Sequence, residues 1–133
     1  DGRTERTALS LDAQMRSGPL SVRSEYVRAD ERPTEESPLR SVRDGWHVTA
    51  AFEAGDLPGG VSLTPYARYD SVRGDEGAGA GRTSRVTVGA NAVPFARLTL
   101  KAEYRRTLEA PEAVRAEAGF GRDAWLIQAV VTF

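Results

Sequence analysis

Strict alternation of apolar and polar side chains over long stretches is the feature that most constrains this sequence. In the last stretch, every odd-numbered residue from Trp125 to Phe133 is apolar. A period of two residues is typical of a β-strand with one apolar and one polar face. The stretches that follow this rule are 7–16, 20–29, 46–54, 61–72, 84–93, 97–106 and 123–133. We therefore predict an all-β chain with about seven strands.

The lengths of the stretches and of their connections favour a membrane protein. The stretches are about 9–12 residues long, whereas strands of soluble domains average about 5–6 residues and strands that cross a bilayer need about 9–11. The connections alternate between short (17–19, 55–60, 93–96) and long and polar (30–45, 73–83, 107–122). This alternation is typical of periplasmic turns and extracellular loops. The sequence thus predicts a transmembrane antiparallel β-barrel in a bacterial outer membrane.

Composition excludes several classes of function. The chain has no Cys and one His, so it cannot form a disulfide, a cysteine-based zinc site or a histidine cluster. Its net charge of −1 disfavours nucleic acid as a partner. No carboxylate lies in an apolar pattern that would suit it to acid catalysis. We expect no enzymatic activity, no metal and no cofactor. No apolar run approaches the roughly 20 residues of a membrane-spanning helix.

Charged residues gather on the polar faces of the predicted strands, where they would line a water-filled lumen. Six bases and five acids share this face, and six minus five gives +1. This near balance favours a salt-bridged wall with little selectivity, and a mild anion preference is the alternative hypothesis. Arg68, Asp70 and Tyr66 fit either a binding spot or a cross-strand ion pair. The predicted pore-lining residues are Arg16, Arg23, Glu25, Glu53, Arg68, Asp70, Arg85, Lys101, Glu103 and Arg105, and Asp12 is the fifth acid.

Aromatic residues of the apolar face are expected near the two ends of the strands. Aromatic rings favour membrane interfaces because one side of a ring can be apolar while the other is hydrated. Phe52, Phe95 and Phe133 fall toward the periplasmic end. Five more fall near the extracellular end: Tyr26, Trp46, Tyr69, Tyr104 and Trp125.

The strand count predicts an incomplete barrel. Residues 1–133 form one barrel segment whose first strand descends from the extracellular side, with residues 1–6 at that end. A barrel with both termini in the periplasm has an even number of strands, so the remaining strands are expected from an upstream stretch of a longer polypeptide or from another chain. Pro65 lies inside the fourth stretch and cannot donate a ladder hydrogen bond, so we expect a local irregularity there.

Two sets of residues resemble known proteins. The stretch 125–133, with apolar residues at every second position before a final Phe133, resembles the terminal signal of bacterial outer-membrane proteins. That resemblance implies recognition by the barrel assembly machinery. The stretches 18–26, 64–70, 86–91 and 100–104 look like the closing third of the phosphate-selective porin O and P family. This second resemblance extends over residues 17–133. It implies a homotrimer of barrels with about 16 strands each and a basic, anion-selecting pore. The family's pore-constricting loop would lie upstream, so no phosphate site is carried over.

These expectations converge on a porin-type channel for passive diffusion of small ions or solutes, in contact with the lipid bilayer and lipopolysaccharide. The acidic segment 30–36 fits a solvated loop, or alternatively a site that binds divalent cations or bridges lipopolysaccharide. Two other functions stay open. The barrel could be plugged or could scaffold a larger assembly, and a soluble β-sandwich or lipocalin-like binding module would show the same strand periodicity.

Overall fold

The computed structural model describes residues 6–31, 41–74, 81–111 and 123–132. Within these ranges the backbone forms one antiparallel sheet of seven long strands and one short strand, with no helix, which confirms the predicted all-β class. The strands are β1 (Arg6–Ser17), β2 (Leu20–Glu31), β3 (Ser41–Phe52), β4 (Asp56–Leu57), β5 (Val61–Gly74), β6 (Gly81–Phe95), β7 (Leu98–Glu109) and β8 (Asp123–Val131).

The sheet is a simple meander, in which each long strand pairs with the next one along the chain. At one end the connections are tight. Gly18 has a φ of 55° in the turn between β1 and β2, and Pro19 follows it with a φ that its ring fixes. At the other end the chain passes through residues 32–40, 75–80 and 110–122. The predicted alternation of short and long connections is present only in part, because residues 53–60 between β3 and β5 outnumber residues 75–80 between β5 and β6.

The strands extend further toward the long connections than the alternation predicts. β2 continues to Glu31, β3 begins at Ser41 and β7 reaches Glu109. The predicted long connections are therefore too long, at residues 30–45, 73–83 and 107–122. Backbone ladders need no apolar side chain, so pairing continues where the alternation has stopped.

The segment between β3 and β5 is more ordered than a plain turn. The two-residue strand β4 pairs with the start of β5, with Asp56 opposite Ser62 and Leu57 opposite Val61. Gly55, Gly59 and Gly60 all have positive φ, which lets the backbone double back within a few residues. The alternation gave no sign of β4, because a strand of two residues is too short to show a period.

Pro65 interrupts one of the two ladders of β5. The pairing of β5 with β6 runs without a shift from Ser62–Val93 to Gly74–Gly81. The pairing with β3 ends at Ala51–Tyr66, one residue before the pair that Pro65 would form. The irregularity expected at Pro65 is thus an end of the β3–β5 ladder.

Two further irregularities lie between β6 and β7. The register shifts between Ser84 and Arg85 and again between Ala92 and Phe95. The second shift includes Pro94, which has no N–H to donate to a ladder. The sequence predicts this proline within the connection 93–96, whereas in the structure it belongs to β6.

Burial across the sheet is the reverse of that in a soluble domain. No apolar residue of the described ranges is buried, and the buried residues there are Ser71, Ser84, Thr87 and Glu103. On the central strands, Thr87 and Glu103 are 4 % and 5 % exposed, whereas Val88 and Leu100 on the opposite face are 45 % and 43 % exposed. The other two buried residues, Ser71 and Ser84, lie in the row of Trp46 on the apolar face, so the buried residues of both faces are polar.

The sheet formed by the described residues is open. β1 and β8 each pair with one neighbour and not with each other, so both are edge strands. Among the residues described, no helix is long and apolar enough to cross a membrane.

Candidate functional site

The strand registers bring the predicted charged residues together on one face of the sheet. Directly paired residues of neighbouring strands share a face, so the pairings can be followed from strand to strand. One such row runs through Arg68, Thr87 and Arg105, and another through Tyr66, Gly89 and Glu103. The same rule places all of the following on this polar face: Asp12, Arg16, Arg23, Glu25, Glu53, Arg68, Asp70, Arg85, Lys101, Glu103 and Arg105.

On the first strands the charges form simple, exposed pairs. Arg16 Nη2 lies 2.6 Å from Glu53 Oε2, so this pair reaches from β1 to the end of β3. Arg23 donates from Nε and Nη2 to Asp12 Oδ2 at 3.0 and 2.9 Å. Both partners of each pair are about half exposed. Exposed pairs of this kind contribute about 0–1 kcal/mol each. Glu25 makes no ion pair with any of the residues that the structure describes.

Asp70 is the centre of a first three-residue cluster. Arg68 donates from Nε to Asp70 Oδ1 at 2.6 Å, and its Nη2 lies 2.5 Å from the same oxygen. Arg85, directly opposite on β6, places Nε 3.7 Å from Asp70 Oδ2. This distance is too long for a hydrogen bond, and both atoms are buried without a partner among the described residues. The attraction between Asp70 and Arg85 is therefore purely electrostatic.

Glu103 is the centre of a second cluster. Its Oε1 lies 2.8 Å from Lys101 Nζ, and its Oε2 accepts from Arg105 Nη2 at 2.5 Å and from Nε at 3.1 Å. Tyr66 Oη donates a hydrogen bond to Oε1. A buried carboxylate is costly unless charged partners and hydrogen bonds compensate it, and three donors do so here.

Tyr66 reaches Glu103 because Gly89 lies between them. Tyr66 is on β5 and Glu103 on β7, so the phenol must cross β6. A Cβ on Gly89 would lie 2.7 Å from Tyr66 Oη and 2.7 Å from the Ala102 carbonyl oxygen. Only glycine leaves room for the ring at this position. Lys101 Nζ lies 5.8 Å from the centre of the same ring, within reach of a cation–π interaction.

The two clusters form one basic patch, which we define as Arg68, Asp70, Arg85, Lys101, Glu103 and Arg105. Four bases minus two acids give it a net charge of +2. The carboxylate side chains are 14 % and 6 % exposed, against between 31 % and 43 % for the four bases. The patch therefore presents cations to the space above the sheet and keeps its anions recessed. The predicted charged residues of the polar face that lie on β1–β3 or directly after it are two bases and three acids, with a net charge of −1.

The opposite face carries the predicted interface aromatics along an oblique line, since the registers place them in three successive rows of this face. Tyr26 is directly opposite Trp46, and Tyr104 is directly opposite Trp125. Trp46 contacts Tyr69 with ring centres 5.1 Å apart, and Tyr104 contacts Trp125 at 5.0 Å. Trp125 is the third residue of β8, whereas the other four rings lie five residues from the strand end at the long connections, near the middle of their strands. Phe52 and Phe95 lie at the end of the tight turns, whereas Phe133 is outside the described residues.

Polar groups follow directly beyond this aromatic line. Arg82 donates from Nε to Ser71 Oγ at 3.0 Å and lies 4.0 Å from Glu109. Arg106 lies 3.9 Å from Asp123, and each is two residues beyond an aromatic residue of its own strand. The apolar face therefore passes through a belt of aromatic rings into a belt of charge.

The predicted pore-lining residues do not include two residues beside the basic patch, Gly89 and Thr87. The signal for Gly89 was its place inside a long alternating strand, where glycine often marks a close approach of another group. Thr87 becomes notable only through the registers, which place it between two arginines. No group of three His, Asp or Glu residues in the described ranges could hold a metal ion.

Comparison with known proteins identifies no family. No protein-family model matches the chain, and no curated protein or solved structure is significantly similar to it. The case for a function therefore rests on the geometry of the sheet.

Proposed function

We propose that this sheet is part of a transmembrane β-barrel of the bacterial outer membrane that forms a porin-type pore for passive diffusion. The observation that carries the proposal is the reversed burial of the central strands, where polar residues are buried and the apolar residues beside them are exposed. Water disfavours such an apolar surface, and soluble monomers rarely expose a large one. A bilayer favours it on the outside of the wall, while the polar face lines a hydrated lumen.

The aromatic line and the charged belt beyond it support this orientation. Indole and phenol rings concentrate where hydrocarbon meets the head groups, and charged side chains follow on the aqueous side. The end with the long connections would face the cell exterior, where lipopolysaccharide is the adjacent lipid. The end with the tight turns would face the periplasm.

The open edges support a barrel completed by further strands. In lipid every backbone N–H and C=O needs a partner, so edge strands must be paired. Seven long strands alternate in direction, so β1 and β8 run the same way and an odd number of added strands restores antiparallel pairing. These strands would come from a longer polypeptide or from another chain. Trimer formation, and recognition by the assembly machinery through Phe133, remain proposals that derive from the family resemblance.

The exposure of the charges favours a mild anion preference over a neutral wall. Formal charge on the polar face is nearly balanced, but the basic patch recesses its carboxylates and leaves four cations exposed. Charge close to the water-filled space acts on passing ions more strongly than charge behind it. The pore would therefore select by size and by weak electrostatic attraction of anions, with no chemical step.

Two alternatives make different predictions. A plugged or scaffolding barrel would have the same wall but would not conduct. A β-sandwich needs two facing sheets with an apolar core between them, whereas the described residues form one sheet without such a core. A lipocalin-like module would place its apolar face on the inside, the reverse of the burial observed here.

Planar-bilayer conductance of the unboiled, detergent-extracted assembly tests the proposal. We expect steady open steps and, under a salt gradient, a reversal potential of the sign that anion preference gives. Stable insertion without conductance would favour the plugged or scaffolding barrel. Full solubility without detergent would contradict the membrane location itself.

A further inference from the structure

We propose that Tyr66 and Glu103 form a positioning pair that sets the ion selectivity of the wall, an inference that rests on the proposed pore. The hydrogen bond from Tyr66 across Gly89 holds the Glu103 carboxylate against the sheet. With the carboxylate held there, Lys101 and Arg105 stand between it and the lumen. The pair thus determines which sign of charge a passing ion meets.

The geometry of the cluster supports this role. Glu103 is nearly buried although it lies on the face that carries most of the charge. Two of its three donors, Lys101 and Arg105, belong to its own strand, so they cannot by themselves bind it toward β6. Tyr66 is the donor that comes from across the sheet. Its hydroxyl is therefore the contact that directs the carboxylate over Gly89.

The two members of the pair have opposite predicted effects when altered. Glu103→Gln removes a negative charge and leaves Lys101 and Arg105 uncompensated, so anion preference should rise. Tyr66→Phe keeps the ring and removes only the hydroxyl. The carboxylate, still charged, is then free to turn toward the lumen, so anion preference should fall. A purely structural contact would give no such opposition.

The test is the reversal potential of the full assembly in a potassium chloride gradient. We expect Glu103→Gln to raise the chloride-to-potassium permeability ratio by about two- to fourfold, the effect of one unit charge at roughly 10 Å in water. Tyr66→Phe should lower the ratio toward one. Glu103→Asp, which keeps the charge but shortens the side chain, should act like Tyr66→Phe and gives the direction if the Gln variant does not assemble.

Two matched controls isolate the effect. Glu53→Asp shortens an exposed carboxylate that pairs with Arg16 and is not held against the sheet, so it should change the ratio less than Glu103→Asp. Tyr69→Phe removes a phenol hydroxyl from the apolar face and should leave the ratio unchanged. Conducting Tyr66→Phe and Glu103→Gln variants that leave the ratio unshifted, or that shift it in the same direction as each other, would overturn the inference alone. A wild-type assembly that inserts without conducting would overturn the proposed function and this inference with it.

Discussion

At the scale of single residues, Gly89 shows how closely the polar face is packed. Tyr66 and the Ala102 carbonyl approach it from two sides, each to 2.7 Å of where a Cβ would lie. Neither Gly89 nor Gly45, a second strand glycine, has a positive φ, so backbone strain does not distinguish them. Gly45 differs in its surroundings, because the nearest atom to its Cβ position is the Val72 Cγ2 at 3.4 Å.

We therefore predict different costs for alanine at these two glycines. Gly89→Ala should lower the free energy of unfolding by about 1–3 kcal/mol, because the new methyl group overlaps a backbone oxygen that cannot move freely. Gly45→Ala should change it by less than about 1 kcal/mol, since its Cβ would meet ordinary contacts. Urea titrations of the refolded assembly in lipid vesicles measure both. Equal costs at the two positions would mean that the close approach at Gly89 does not limit packing.

At the scale of single strands, the sequence predicted the centre of each strand and missed features that depend on neighbours. Alternation is a property of one strand, so the charged residues that it groups on one face also share a face in the strand registers. The hydrogen bond between Tyr66 and Glu103 depends on two registers at once, across β5, β6 and β7. No single stretch of sequence contains that information. The predicted strand ends at the long connections were wrong for a related reason, because ladder pairing continues past the last apolar residue.

Neighbouring residues of β6 provide a test of which face meets lipid. Ala90 lies on the apolar face, in a row with Pro65 and Ala102, and Asn91 lies on the polar face opposite Lys101. Ala90→Arg should lower the stability of the inserted protein by about 2–4 kcal/mol, the cost of Arg near the bilayer centre. Asn91→Arg should cost far less, because its side chain would reach the lumen.

Folding titrations of both arginine variants into lipid vesicles give this comparison with one strand as its own control. A larger cost at Asn91 than at Ala90 would reverse the assignment of the two faces. It would place the polar face against lipid or protein and would remove the basis of the proposed pore.

At the scale of the whole molecule, the sheet has an ordered wall but no apolar core. Most of its ion pairs and side-chain hydrogen bonds lie on the polar face, whereas those of Arg82 and Arg106 lie on the apolar face. Most of its exposed large apolar side chains lie on the apolar face. Two tryptophans, Trp46 and Trp125, lie on that apolar face within the same aromatic line. They are the only tryptophans of the chain, so tryptophan fluorescence reports on this face alone.

Brominated lipids quench tryptophan at the depth of their bromine atoms, so they measure how deep the two indole rings lie in the bilayer. If the apolar face meets the bilayer, both indoles should be quenched more strongly by bromine near the head groups than by bromine near the bilayer centre, because aromatic belts lie at the interface. The differences between the wild type and the Trp46→Phe and Trp125→Phe variants isolate each signal. Equal quenching at all depths would place the rings outside an ordered belt. Emission that no brominated lipid changes would show that this face is covered by protein, and the orientation proposed for the whole sheet would then be wrong.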